Sequence, residues 1–243
     1  MRVHATFDPL IWETEFFALN SAKLNFSTAA PMLTEAELDA YALVQAKIPA
    51  HHTALVDGLT RLGFQLVEGE VDLLLNIGTE CASLHTEATQ AIRPAVPADI
   101  PMLRAAAASV FTASRFRAPW YHAQDSGRFY AEWIEKAVLG TFDHQCLLVL
   151  DDTGQPEGFV SLRELGGSEA RIGLLAAFPG AAGKGIGSRL MTAVIAECRQ
   201  RSLQRLRVAT QFGNIAALRL YQRQGAAIES TSYWLYRGRH DPI

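Results

Sequence analysis

Apolar positions along this chain switch between a period of two and a period near 3.6, and the switches mark out its elements. Residues 1–20 hold neither period and are expected to be irregular, anchored by Trp12, Phe16 and Phe17. SAKLNFS (21–27) alternates as a short strand. LTEAELDAYALVQ (33–45) predicts a helix, opened by Thr34 and Glu37 as a capping box. QAKIPA is a short extended piece ended by Pro49. HHTALVDGLTRLGF predicts a second helix through Leu55, Leu59 and Leu62, stopped by Gly63. FQLVEGEVDLLLNI (64–77) then alternates as a strand, with Leu66, Glu68, Glu70 and Asp72 on one face and Val67, Val71 and Leu73 on the other. Residues 78–91 are small and polar, lack a period, and predict a linker.

Beyond the linker, Ile100, Leu103, Ala107, Val110 and Phe111 form a helical stripe capped by Asp99. A polar and aromatic segment leads into another helix through Tyr130, Trp133, Ile134 and Val138. HQCLLVLDD, EGFVSLREL and the apolar run Ile172 to Phe178 predict three strands. The last empties at Pro179 into a loop with glycines at 180, 183, 185 and 187. A helix follows with Ile186, Leu190, Val194 and Cys198 on one face. A strand (LQRLRVAT), a short helix (NIAALRLYQRQG) and a last alternating strand (AIESTSYWLYR) complete the chain. Helix, glycine and strand recur at an offset of 162, pairing Ala54 with Ala216, Gly63 with Gly225 and Leu73 with Leu235. Helix–glycine–strand is common in α/β proteins, so chance and a true repeat are both open. The expected division is a small α/β domain over 1–77, a linker over 78–91, a larger domain over 92–237 and a tail over 238–243.

Composition narrows the class. The 243 residues are 49% apolar and 19% charged with a net charge of −3, an ordinary globular balance without the basic footprint of a nucleic-acid partner. Cys81, Cys146 and Cys198 lie far apart and lack metal-ligand spacing, so neither a disulfide framework nor a metal site is expected. The acidic N-terminal stretch does not resemble a signal peptide, and no run approaches the roughly 18 apolar residues of a membrane span. The expectation is a soluble cytoplasmic protein.

The chemistry concentrates in the glycine loop. Strand, glycines and helix N-terminus make an anion cradle, since glycine lets backbone N–H groups come close and the helix dipole favours negative charge. A plain strand-to-helix turn is the other reading. GxxxxGK[ST] is absent and GxGxxG is not matched, because Gly183, Gly185 and Gly187 alternate singly.

The order β-α-α-β-β-β-α-β-α-β across 92–237, with IRPAVPADIPML, FPGAAGKGIGSRLM and VATQFGNIAALRLYQRQGA, resembles the GNAT N-acetyltransferases. That resemblance implies an α/β (α+β) fold with a mixed central sheet flanked by helices, preceded here by a smaller, partial GNAT-like domain. It implies acetyl-CoA along the backbone of Leu175, Ala176 and Ala177, with its pyrophosphate on Gly183, Lys184, Gly185, Ile186, Gly187 and Ser188. Ala182 stands where the family usually has Gln or Arg, which shifts that contact toward backbone amides. Asn214 sits where the family's asparagine meets the cofactor arm, and it also suits an N-cap. Tyr221, two turns further along the same face, becomes the general acid for the leaving thiolate; its other reading is a packed aromatic.

FDPLIWETEFFALNSAK, LGFQLVEGEVDL, SRFRAPWY and SGRFYAEWIEKAVLGTFDHQCL resemble, more narrowly, the dTDP-fucosamine acetyltransferases of enterobacterial common antigen synthesis. The likeness runs over nearly the whole chain and breaks mainly at 79–91 and 178–184. It implies transfer to the 4-amino group of dTDP-4-amino-4,6-dideoxy-D-galactose in a ternary complex, with Glu68 as general base through water, and a homodimer. By composition alone the acidic face carrying Glu68 reads as solvated. Arg115 and Arg117 then become candidates for the nucleotide diphosphate, and Trp120 and Tyr121 for stacking on thymine or sugar. The same segment also reads as a surface connection. His144 and Arg163 are weaker candidates. A different amine acceptor on the same fold, and a silent acyl-CoA-binding module, are the alternatives.

Overall fold

A computed structural model describes residues 2–78, 92–181 and 183–238; the predicted linker from 79 onward, Ala182 and the tail from 239 lie outside the described residues. In chain order the elements are β1 (Ala5–Pro9), α1 (Ile11–Phe17), β2 (Ser21–Phe26), α2 (Glu35–Leu38), β3 (Leu43–Pro49), α3 (Thr53–Arg61) and β4 (Gln65–Asn76). There follow β5 (Ile92–Pro94), α4 (Ile100–Val110), α5 (Asp125–Val138), β6 (Gln145–Leu150), β7 (Pro156–Gly166) and β8 (Glu169–Ala177). The last are α6 (Ile186–Gln200), β9 (Arg205–Gln211), α7 (Ile215–Arg223) and β10 (Ala227–Gly238).

Two sequence expectations fail near the N-terminus. Residues 1–20 are not irregular but hold β1 and α1. The helix expected over 33–45 is only the single turn of α2. Its capping box is present, with the Glu37 N–H donating to Thr34 and the Glu37 carboxylate accepting from the Thr34 N–H. Local capping fixes that turn, but Leu43, Val44, Ala46 and Ile48 are then claimed by the sheet, where all four are buried. Tertiary pairing outweighs helix propensity here.

One mixed sheet of ten strands runs through the molecule in the order β1-β2-β3-β10-β4-β9-β8-β7-β6-β5. The β2–β3 and β8–β9 pairs are parallel and the others antiparallel. The two ends of the chain are interleaved at the centre: β10 lies between β3 and β4, and β4 between β10 and β9. The weak repeat in the sequence is the reason. The bounds of β3, α3 and β4 and those of β9, α7 and β10 coincide at the constant offset of 162 residues.

The pairing follows the same offset. Pro49 faces Ser232 across β3–β10 as Gln211 faces Glu70 across β9–β4. Glu70 and Ser232, which are equivalent positions, face each other across β4–β10, so a local two-fold axis passes between them. Two register shifts flank that axis on either side, one at Glu229 of β10 and one at Val67 of β4, again equivalent positions. The two units have exchanged their last strands.

Helices cover both faces. Val71, Leu73 and Leu75 of β4 pack with α6 and α7 through Ile186, Leu190, Val194 and Tyr221. Val44, Ala46, Ile48 and Leu235 pack on the same side with Leu59 of α3. On the opposite face α4 and α5 cover β6, β7 and β8 through Leu103, Tyr130, Ile134, Leu148, Phe159 and Leu174. An aromatic cluster of Phe17, Phe116, Trp120, Tyr121, Trp234 and Tyr236 joins the N-terminal elements to the segment between α4 and α5.

Leu73 and Leu235 are each 1% exposed at equivalent positions of the exchanged strands. Truncating either to alanine is expected to cost about 2–5 kcal/mol in urea unfolding, with one transition retained because each strand serves both halves. Two resolved transitions in either variant would mean that the halves melt separately.

Candidate active site

One part of the candidate site lies where β8 parts from β9. Their parallel pairing ends at Ile172 opposite Val208, while β7 stays paired to Leu175, Ala176 and Ala177. The edge of β8 beyond Ile172 is therefore open toward β9. The N–H of Leu174 donates to Ser161 Oγ and that of Phe178 to the Glu157 carbonyl, both on the β7 side. By strand alternation the N–H groups of Leu175 and Ala177 point into the opening. Side chains divide the other way: Leu174 and Ala176 pack toward α4 and α5, and Leu175 and Ala177 toward α6.

A bulge sets this edge. Gly173 and Leu174 together stand opposite Ser161. A Cβ on Gly173 would run into the Asp143 carboxylate, so only glycine fits. Asp143 is fully buried and accepts from Trp133 Nε1 at 2.8 Å, Arg163 Nε at 2.9 Å and Ser161 Oγ, which offsets the cost of burying a carboxylate. Nothing in the sequence pattern singled out Asp143 or Ser161, because a lone loop aspartate carries no period. Arg163 is thereby placed as a brace for Asp143, and His144 Nδ1 accepts from the Glu164 N–H.

The glycine loop leads into α6. Gly183 and Gly185 have φ of +83° and +78°, a backbone region that disfavours side chains. Gly185 is the N-cap and supplies no side-chain acceptor, so the first-turn amides around Ile186, Gly187 and Ser188 keep their hydrogen-bonding capacity. They open a helix of fifteen residues. Lys184 is exposed, with its ammonium 3.9 Å from Glu157. Ala182 lies outside the described residues.

On α7, Asn214 is the N-cap, its side chain accepting from the Ala217 N–H at 3.2 Å. Tyr221 is 5% exposed, and burial pushes its hydroxyl up to about 12. That hydroxyl makes no hydrogen bond among the described residues.

The other part of the candidate site lies across the sheet. Strict alternation would set Val67 with Val71 and Leu73, but the bulge at Val67 turns it to the other face, against Trp234 and Tyr236. Leu66 is displaced from the acidic face in exchange and is 61% exposed. Arg117 donates to the bulged Val67 carbonyl at 3.1 Å, satisfying a group the ladder has lost. Glu68, next along, keeps the predicted face with Glu70 and Asp72.

Glu68 is partly buried, and burial pushes its carboxyl up to about 7. The Arg115 charge opposes that rise, Glu70 adds to it, and a Gln211 hydrogen bond and the Arg117 charge lower it. Glu70 goes the other way: burial would raise it, but hydrogen bonds from Lys47 and Trp234 hold it below its ordinary value. Asp72 pairs with Lys47 at 3.3 Å and Arg171 at 3.4 Å.

The segment 114–121 departs from expectation. Arg115 is not a free diphosphate clamp. Its guanidinium lies 4.2 Å from the Phe116 ring and 4.1 Å from the Trp234 ring, and donates to Gln45 and Tyr236. Trp120 and Tyr121 are 6% and 3% exposed inside the aromatic cluster, so neither offers a face to a ligand. Aromatic residues beside arginines look alike in sequence whether they line a cleft or fill a core.

Glu68 holds a folded value above its ordinary 4.5, so folding favours its protonated form. That stabilisation is complete below about 4.5 and is lost as the pH rises through about 7. Glu68→Gln is accordingly expected to be more stable than the wild type at pH 8, with the gap closing toward pH 5. Equal urea midpoints at pH 8 would show that the carboxyl does not sit in so unfavourable a setting.

Comparison with known proteins fits this geometry. The family model described as acetyltransferase (GNAT) family matches residues 108–226, which take in the β8 opening, the glycine loop and Tyr221. A dTDP-fucosamine acetyltransferase from Escherichia coli O6:H1 is 49% identical over 237 residues, covering 98% of this chain and 100% of that protein. A solved GCN5-related N-acetyltransferase from Sphaerobacter thermophilus is similar with a TM-score of 0.58 at 17% identity, over 83% of this chain and 61% of its own. A functionally unknown conserved protein from Staphylococcus epidermidis reaches 0.63 at 14% identity, over 98% and 92% of the two chains. The two structures bear on the fold alone, whereas the curated relative matches both halves of the sequence. An open strand edge beside an uncapped helix N-terminus, and a relative alike from end to end, lead to one assignment: this chain belongs to the GNAT family of acetyltransferases.

Proposed function

We propose that this acetyltransferase moves an acetyl group from acetyl-CoA to the 4-amino group of dTDP-4-amino-4,6-dideoxy-D-galactose, by direct attack with both substrates bound. The observation that carries the reading is the open edge of β8 beside the first turn of α6, with Tyr221 packed on one face of the sheet and Glu68 carried on the other. The name of the 49%-identical relative supports the acceptor. Synthesis of enterobacterial common antigen, a cytoplasmic location and a homodimer belong to the same reading. Among the described residues no helix is long and apolar enough to cross a membrane, and no group of three or more His, Cys, Asp or Glu could hold a metal ion.

The residues fit acetyl-CoA. The open edge of β8 offers the N–H groups of Leu175 and Ala177 to amide and thioester oxygens, and the first turn of α6 offers amides to a pyrophosphate. Acetyl-CoA supplies an activated acyl group on a thiol leaving group.

Glu68, ionised, takes the proton of the acceptor ammonium through a water, so that the nitrogen lone pair is free to form the new C–N bond. The strand N–H nearest the carbonyl stabilises the negative charge that develops on its oxygen, preorganised because the β8 bulge is braced from behind. As the C–S bond breaks, Tyr221 gives its proton to the departing sulfur. A phenol held near 12 stays protonated through neutral pH and is ready for that role. As the tetrahedral adduct collapses, its nitrogen gives up a second proton, which returns through water to the Tyr221 oxygen, and Glu68 passes its own outward, so that one proton is released for each amide formed.

Release of thiol with the 4-amino sugar nucleotide, its 3-amino isomer and an N-terminal peptide as acceptors tests the reading. Release with the first substrate is expected, and none at saturating acetyl-CoA would overturn it. The acid limb of kcat/KM is expected to rise through a pKa near 7, since only ionised Glu68 accepts a proton, and to vanish in Glu68→Gln. An unchanged profile would place the base elsewhere. Tyr221→Phe is expected to lower kcat by roughly 10²- to 10⁴-fold with little change in acetyl-CoA affinity, read in steady-state kinetics.

A further inference from the structure

The structure holds a second recess that the acetyl-transfer chemistry does not use. It has a volume of about 290 Å³, near the lower bound of roughly 300 Å³ for small-molecule sites, and is walled by Trp12 of α1, Phe129 and Trp133 of α5, and Phe142. The rings meet edge to face: Trp12 on Phe129 at 5.9 Å, Phe129 on Trp133 at 5.6 Å and Trp133 on Phe142 at 5.5 Å. Phe16 stacks on Trp12 at 4.9 Å, Tyr130 on Trp133 at 6.4 Å, and the Arg163 guanidinium lies 3.6 Å from the Phe142 ring centre, so each ring has one face taken and at most the other to offer the recess. Trp12 and Phe142 are 41% and 46% exposed, unusual for rings of that size. Glu132, Lys136 and Thr141 complete the lining, and Lys136 reaches to 4.7 Å from the Trp12 ring centre.

We infer that this recess takes the pyrimidine base of the nucleotide-sugar acceptor, which deepens the proposed function and rests on the acceptor's being such a nucleotide. Three observations carry it. A flat, uncharged heterocycle has faces to stack on the rings and edges to hydrogen-bond at the rim. Glu132 is an acceptor for the imide N–H of a pyrimidine and Lys136 a donor to the carbonyl beside it; the two already lie 3.4 Å apart.

The recess is also joined to the reacting centre by direct contacts. Trp133 donates to Asp143, which abuts Gly173 on the open strand. Phe129 packs on Phe116 at 4.2 Å, and Phe116 lies against the Arg115 guanidinium, whose charge acts on Glu68. Base recognition thus passes from Trp120 and Tyr121, which are interior, to Trp12 and Phe142, which are exposed.

The test uses the full chain with Trp12→Ala and Phe142→Ala, both exposed positions. Each is expected to raise KM for the nucleotide sugar by roughly 10- to 100-fold, the range for losing one base–aromatic stack, while KM for acetyl-CoA stays within twofold. Thymidine diphosphate alone is expected to quench tryptophan fluorescence in the wild type and much less in Trp12→Ala. Circular dichroism melting of each variant verifies that it is folded. If the wild type acetylates the nucleotide sugar but both variants keep its KM within twofold, the base lies elsewhere and this inference is overturned. If the wild type does not acetylate it at all, the acceptor assignment fails first. Quenching by thymidine diphosphate that persists unchanged in Trp12→Ala would also overturn the recess as its site.

Discussion

The backbone ladder between β4 and β10 is the constraint on which the rest of the molecule turns. Each of these strands ends one copy of a β-α-β unit, and each is taken up by the other copy's sheet. If each had stayed at home, β9 would adjoin its own β10, and β4 would not border it. Because they exchange, β4 lies beside β9, and Glu68 comes within hydrogen-bonding reach of Gln211. The two halves of the chain share one set of hydrogen bonds.

Around that ladder the two copies have diverged by position. Tyr221 of α7 corresponds to Leu59 of α3, and Asn214 to His52. The bulge on β4 turns Val67 inward and presents Glu68, while the equivalent bulge on β10 carries Glu229 in an ion pair with Arg207. One backbone irregularity thus presents a half-buried carboxyl in one copy and an ion-paired surface carboxylate in the other.

Much of this was legible in the residues. Glycines 180 to 187 between an apolar run and an amphipathic helix mark the passage from β8 to α6, and the spacing of Asn214 and Tyr221 marks the N-cap and the buried face of α7. Alternation over 64–77 places Glu68, Glu70 and Asp72 together. What a period of two does not encode is which strand lies beside which, so the exchange was invisible even though the repeat behind it was not. Nor does it encode a bulge, which is why Val67 and Leu66 trade faces. Asp143 escaped because its importance comes from being enclosed by Trp133, Ser161 and Arg163, residues distributed over other elements. Trp120 and Tyr121 misled for the opposite reason, since an aromatic run beside arginines fills a core as readily as it lines a cleft.

The exchange also sets a timetable. β3 leaves the ribosome early, yet one of its two neighbours is β10, so Ile48 waits for Tyr233 to be made. β4 likewise waits for both β9 and β10. Until then the nascent chain carries unpaired strand edges of high β-propensity, the kind of surface that other chains can extend. A sheet with β10 at its centre is thus also one that stays open until β10 has been made.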